Sequence, residues 1–175
     1  MKLNKFLVVA AALGFAANAF AANPVNQGEG TIDFKGSIID APCSIDENAS
    51  TKEVDLGQVS NVLLAGGGKS NPVDFKIVLR DCSLATMSKV KTTLTGAPSS
   101  LNSDLLGISG NAEGASIAII DGSGAAIKLG TATQPQPLVT GLNVLQFSAY
   151  LQGDTTAAVK PGTFTSTASY ALSYE

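Results

Sequence analysis

Cys43 and Cys82 are the only thiols of this 175-residue chain, and their chemistry depends on what could join them. A structural zinc site takes four nitrogen or sulfur ligands. The chain has no histidine and no third cysteine to complete such a set. In an exported protein an even pair reads instead as a disulfide, formed in an oxidising compartment such as the periplasm. The two positions are 39 apart, so the chain-entropy account assigns the closed loop about 4 kcal/mol. Absence of histidine also removes every serine or cysteine triad that relies on imidazole. A Ser-Lys arrangement is left open, but no context singles one out.

Other chemistry-bearing motifs are incomplete. Gly66-Gly67-Gly68-Lys69-Ser70 resembles the end of a phosphate loop, yet Leu63 stands where that motif needs its first glycine. The segment therefore reads as an exposed loop. Fourteen carboxylates are scattered mostly through turns, with no pair that suggests glycoside hydrolysis. Asp121 heads a turn and lacks the spaced acidic companions of a calcium loop. Asn48-Ala49-Ser50 fits a glycosylation acceptor, a tripeptide common by chance. The expectation is a protein that is not an enzyme and carries no cofactor or metal.

The first residues direct the chain rather than fold with it. Lys2 and Lys5 precede the apolar run Phe6–Ala17, and Ala19-Phe20-Ala21 offers small residues for cleavage. A bilayer span would need about 20 apolar residues, and Asn18 interrupts this run. Residues 1–21 are expected to be a secretory signal peptide. Its removal leaves nine basic against 14 acidic residues and one arginine, Arg80. Such an acidic chain, without tryptophan, is a poor partner for nucleic acid or anionic lipid.

The remainder is the size of one domain. Short apolar or alternating runs separated by glycine-rich loops predict a β-sandwich. Expected strands are Asp40–Ile45, Lys52–Val59, Val73–Arg80, Val90–Leu94, Ser116–Ile120, Ala125–Leu129, Asn143–Leu151 and Thr163–Tyr174. Asp121-Gly122-Ser123-Gly124 joins two of them as a hairpin. A short helical turn is expected near Leu101–Leu106. Two stretches at opposite ends alternate with a period of two, the pattern of half-buried strands. Thr31–Ile39 places Ile32, Phe34, Gly36 and Ile38 on one face; Asp33, Lys35, Ser37 and the apolar Ile39 fall on the other. Thr163–Tyr174 places Phe164, Ala168, Tyr170, Leu172 and Tyr174 on one face. Periodicity alone allows the first stretch to be an ordinary strand of its own sheet.

Four segments resemble the pilin subunits of bacterial chaperone–usher fimbriae, specifically the type 1 fimbrial family. They are Gly-Thr-Ile-Asp-Phe-Lys-Gly-Ser-Ile-Ile-Asp-Ala-Pro-Cys (30–43), Val-Asp-Leu-Gly-Gln-Val (54–59), Phe-Lys-Ile-Val-Leu-Arg-Asp-Cys (75–82) and Leu-Gln-Phe-Ser-Ala-Tyr-Leu (145–151). Tyr174 matches the family's penultimate tyrosine, and Gly162 its glycine fourteen residues from the end. The resemblance covers the whole mature chain.

It implies an all-β, incomplete immunoglobulin-like sandwich lacking its last strand, completed by a donor strand from another subunit. Residues 22–39 would be the N-terminal donor extension and residues 40–175 the pilin domain. Ile32, Phe34, Gly36 and Ile38 would fill a neighbour's groove, and Gly162, Phe164, Tyr170, Leu172 and Tyr174 would form the C-terminal groove edge where a chaperone docks. Implied partners are other copies of the chain, related pilins, a periplasmic chaperone and an outer-membrane usher, with export through the periplasm to the surface fimbria. One domain with an arm favours a rod subunit over a tip adhesin, and compact size, many small residues and generic loops favour the major rod subunit, supporting adhesion. The competing readings are a minor adaptor pilin and a secreted monomeric immunoglobulin-like binding module, which should contain all its own strands.

Overall fold

The computed structural model describes residues 30–175; the expected signal peptide lies outside them. One compact unit spans Ile39–Glu175, and residues 30–38 fall outside it. Described residues 30–40 carry no regular secondary structure and are exposed almost throughout.

The unit is built from ten strands and a short α-helix continued by a 3-10 turn at Ala65–Gly67. In chain order they are β1 (Ser44–Ile45), α1 (Asn61–Leu64), β2 (Val73–Cys82), β3 (Lys89–Gly96), β4 (Ser109–Gly110), β5 (Ala115–Asp121), β6 (Ala126–Ile127), β7 (Gln136–Pro137), β8 (Gly141–Gly153), β9 (Phe164–Thr165) and β10 (Ala168–Tyr174). One sheet has the order β1-β2-β8-β5-β6, a second β10-β3-β7, and β4 pairs with β9 alone. All pairings are antiparallel.

Alternation decides which face each strand buries. In β8, Asn143, Leu145, Phe147, Ala149 and Leu151 point inward between exposed or half-buried neighbours. In β3, Val90, Thr92 and Leu94 do the same. β5 lies between β8 and β6 and is buried along nearly its whole length, so its run Ala-Ser-Ile-Ala-Ile-Ile is less strictly alternating. These faces meet in one core in which Leu79, Phe147 and Val90 are almost wholly buried. Each large apolar side chain so removed from water contributes about 1.5–3 kcal/mol. Phe75 and Phe147, directly opposed across β2 and β8, stack with ring centroids 5.4 Å apart.

Cys43 and Cys82 form a disulfide, both sulfurs in the core. It ties the start of the domain to the end of β2. A bulge between Leu79 and Cys82 accompanies Asp81 at φ 55°, the only non-glycine residue with positive φ among those described. The extra residue turns Cys82 back into the core, where it meets Cys43.

Three sequence expectations need correction. Lys52–Val59 joins no ladder. Thr163–Tyr174 is two strands, β9 and β10, broken at Ser166, whose hydroxyl donates to the Gly107 carbonyl at 2.6 Å. Leu101–Leu106 is not helical: Ser99 Oγ accepts from Leu101 N and Asn102 Oδ1 accepts from Asp104 N, so side chains supply the partners a helix would have given the backbone. The helical turn is α1 instead, capped by Ser60, whose hydroxyl accepts from Val62 N at 3.3 Å.

Candidate functional site

The domain holds a groove of about 1110 Å³, bounded by two stretches of chain that do not pair with each other. That exceeds the range of about 300–1,000 Å³ in which small ligands are usually held. Its floor is the sandwich core itself: Phe75, Ile77, Leu94, Leu106, Ile117, Ile119, Ala149 and Leu151, drawn from both sheets.

One wall is residues 52–59. Val54, Leu56 and Val59 are half-buried, while Glu53 and Asp55 face solvent. The segment is held at its start, where Thr51 N donates to the Lys76 carbonyl at 2.9 Å. Beyond that point none of its amides or carbonyls has a backbone partner among the described residues. Gly57 N donates only to the Asp55 side chain, at 2.8 Å. This explains the missing strand: the side chains alternate as a strand requires, but no neighbour completes the ladder.

The opposite wall runs from Val159 through β9 to the start of β10. β10 pairs with β3 from Ala168–Gly96 to Tyr174–Val90 and has no strand on its other side. Gly162 lets this wall approach closely: a Cβ there would lie 2.6 Å from the Ala112 nitrogen and from the Asn111 carbonyl carbon. Phe164 packs against the core and lines the groove; Tyr170 lines it and is 40% exposed. Leu172 and Tyr174 lie further along the same face of β10, half-buried on the core, and do not line the groove. Burial, with a smaller push from Glu47, raises the Tyr170 phenol above its usual pKa, and burial with the nearby Tyr170 raises Tyr174. Glu175 completes the register by exchanging backbone bonds with Lys89 (2.9 and 3.0 Å), and its carboxylate meets Lys91 at 2.6 Å, which holds its pKa low.

The open edge of β10 and the unpaired segment 52–59 flank an apolar floor. They can accept an extended segment, whose backbone would hydrogen-bond to the edges while alternate side chains enter the floor. The residues expected to serve as such a segment have no partners in this chain's described part: Ile32, Phe34 and Ile38 are 76%, 90% and 104% exposed, and Gly36 has open space where a Cβ would sit. Of the residues expected at the C-terminal edge, Gly162, Phe164 and Tyr170 line the groove and Leu172 and Tyr174 do not, while residues 52–59, expected as a strand, pair with none. The clue was Val54 and Leu56 alternating with Glu53 and Asp55, a pattern that specifies a strand and leaves its partner unspecified.

Comparison with known proteins bears on this geometry. The family model described as "Fimbrial protein" matches residues 32–175. The chain is 51% identical over its whole length, and the whole of the relative, to the Fimbria A protein of Serratia marcescens. It is 46% identical, again over the full length of both, to the Major MR/P fimbria protein of Proteus mirabilis. Among solved structures it resembles a chain of a chaperone–usher pilus described in connection with rod uncoiling (TM-score 0.75, 30% identity, covering 88% of this chain and 100% of that one). It also resembles the P pilus rod subunit PapA (TM-score 0.69, 32% identity, 77% and 100%).

Proposed function

The chain belongs to the fimbrial protein family and is a structural subunit of a fimbria, with an immunoglobulin-like sandwich as its fold; from that premise we propose that it polymerises by strand donation between copies. Residues 1–21 are removed on export, residues 22–39 act as the donor arm, and residues 40–175 form the domain that receives it. Ile32, Phe34 and Ile38 of one copy enter the groove of the next, with Gly36 where the donor passes closest to its neighbour. A periplasmic chaperone occupies the groove first, docking on the edge formed by Gly162, Phe164 and β10, and an outer-membrane usher is where the exchange takes place. The names of the full-length relatives favour the major rod subunit over a minor adaptor.

The observation that carries this reading is the pairing of two deficits. The domain has two groove walls with no strand between them over an apolar floor of core residues, and Ile32, Phe34 and Ile38 of the arm are exposed. Burying the three large arm side chains would contribute about 1.5–3 kcal/mol each, with about 1 kcal/mol net for each backbone hydrogen bond. Ordering the arm offsets part of this. The test is a self-complemented chain, with a copy of residues 25–39 linked after Glu175. It should be monomeric and melt well above the unmodified monomer. Equal melting temperatures would contradict strand donation.

A further inference from the structure

The rim of the groove is charged unevenly. Four carboxylates and two ammonium groups line it: Glu47, Lys52, Glu53 and Asp55 on one wall, Glu113 and Lys160 on the other. Glu113 is already bonded to Lys160 at 3.0 Å, and the remaining polar residues of that wall are threonines, Ser166 and Tyr170. Glu53 and Asp55 stand on the outer face of their wall, because Val54 and Leu56 between and beside them turn inward. Among the described residues no cation lies within ion-pair distance of either. Lys52 has the opposite parity in the chain and does not share that face.

The arm carries a matching pattern. With Ile32, Phe34 and Ile38 directed inward, its outer face presents Asp33, Lys35 and Ser37. An apolar face fixes a strand's register only to within shifts of two residues, since each such shift keeps the same side chains inward. Charge can choose among those shifts. If the arm ran parallel to residues 52–59, placing Lys35 opposite Glu53 would set Asp33 opposite Thr51. The next register would put Asp33 against Glu53. If it ran antiparallel, Lys35 opposite Asp55 would set Asp33 opposite Gly57, whereas Lys35 opposite Glu53 would press Asp33 on Asp55. In each direction one register pairs the lysine and spares the aspartate. Directly opposed residues on one face are within about 5 Å at Cβ, close enough for attraction or repulsion to register.

Building on the donation mechanism above, we infer that Lys35 of an incoming copy pairs with the Glu53–Asp55 wall of the receiving copy, and that this pair sets the register of the joint and favours the chain's own arm. The occupant is a second copy of this chain. The contact is exposed, so its contribution is modest and screened by salt.

The test measures the assembly rate of the full mature chain at low and high ionic strength. Lys35→Glu should slow assembly about fivefold at low salt. Adding the reciprocal changes Glu53→Lys and Asp55→Lys to the same chain should restore most of the rate, and the difference between variants should fade near 1 M salt. Lys35→Glu lies outside the domain, so its result does not depend on whether the wall variants fold. An unchanged rate for Lys35→Glu at low salt, or a defect equally large at 1 M salt, would overturn the pairing. Phe34→Asp separates the two claims. Loss of assembly there with no effect of Lys35→Glu leaves strand donation standing and removes the charge pair. Normal assembly of Phe34→Asp removes strand donation itself.

Discussion

Single atoms decide how firmly the walls of the groove are held. Gly162 is a wall residue because the backbone of Asn111–Ala112 leaves no room for a Cβ. Gly162→Ala should therefore displace the segment between Val159 and β9 and destabilise the domain by about 1–3 kcal/mol, measured by urea unfolding. The disulfide acts on the other side of the equilibrium, by restricting the unfolded chain. Replacing Cys43 and Cys82 together by serine should cost about 2–5 kcal/mol and lower the periplasmic yield of subunit. Finding both thiols free in purified fimbriae would contradict its role there. Tyr170 and Tyr174 give a pH signature. Burial raises both phenols, so folding favours their neutral forms. That contribution is complete below the ordinary tyrosine value of about 10 and is lost as pH rises through the raised values. Melting temperature should fall as pH rises above about 10, and Tyr170→Phe should flatten the fall; an identical slope would show that this phenol does not couple to folding.

Elements divide into those that stabilise the domain and those that serve its neighbour. Leu172 packs on the core from β10, so Leu172→Ala should lower stability by about 1–3 kcal/mol in the monomer. Among the described residues a Cβ at Gly36 would meet nothing within 4 Å, so Gly36→Phe should leave the melting of the domain unchanged while blocking fibre formation, scored by electron microscopy. A Gly36 variant that unfolds the monomer would place the arm in its own domain. The strands that bury one face against the core were legible from alternation: β3, β8 and the inner face of β10 read correctly, as did the turn at Asp121, where the carboxylate accepts from Ser123 N, Ser123 Oγ and Ala125 N. Burial alone would raise that acid, but these bonds outweigh it and hold it low. Residues 52–59 were legible as strand-like yet not as a wall, because alternation says which side chains turn inward and nothing about which edge is paired. α1 is too short to show a helical period, and its only cue was Ser60. The break at Ser166 depends on a bond to Gly107, 59 positions away, which no local pattern carries.

At the scale of the molecule, the domain leaves the β10 edge and the strand-like segment 52–59 unpaired beside an apolar floor, which a free protein normally covers or blunts. Under the proposed strand donation, the arm of another copy would supply the covering segment. The account's central claim is that residues 52–59 and 32–38 become partners when the chain assembles. Amide hydrogen exchange of the subunit monomer and of the fibre tests it directly, because the 52–59 amides have no backbone acceptor among the described residues of the monomer. The account predicts fast exchange at 52–59 and at 32–38 in the monomer, and strong protection of both segments together in the fibre. Protection of neither on assembly, or of 32–38 already in the isolated monomer, would contradict it.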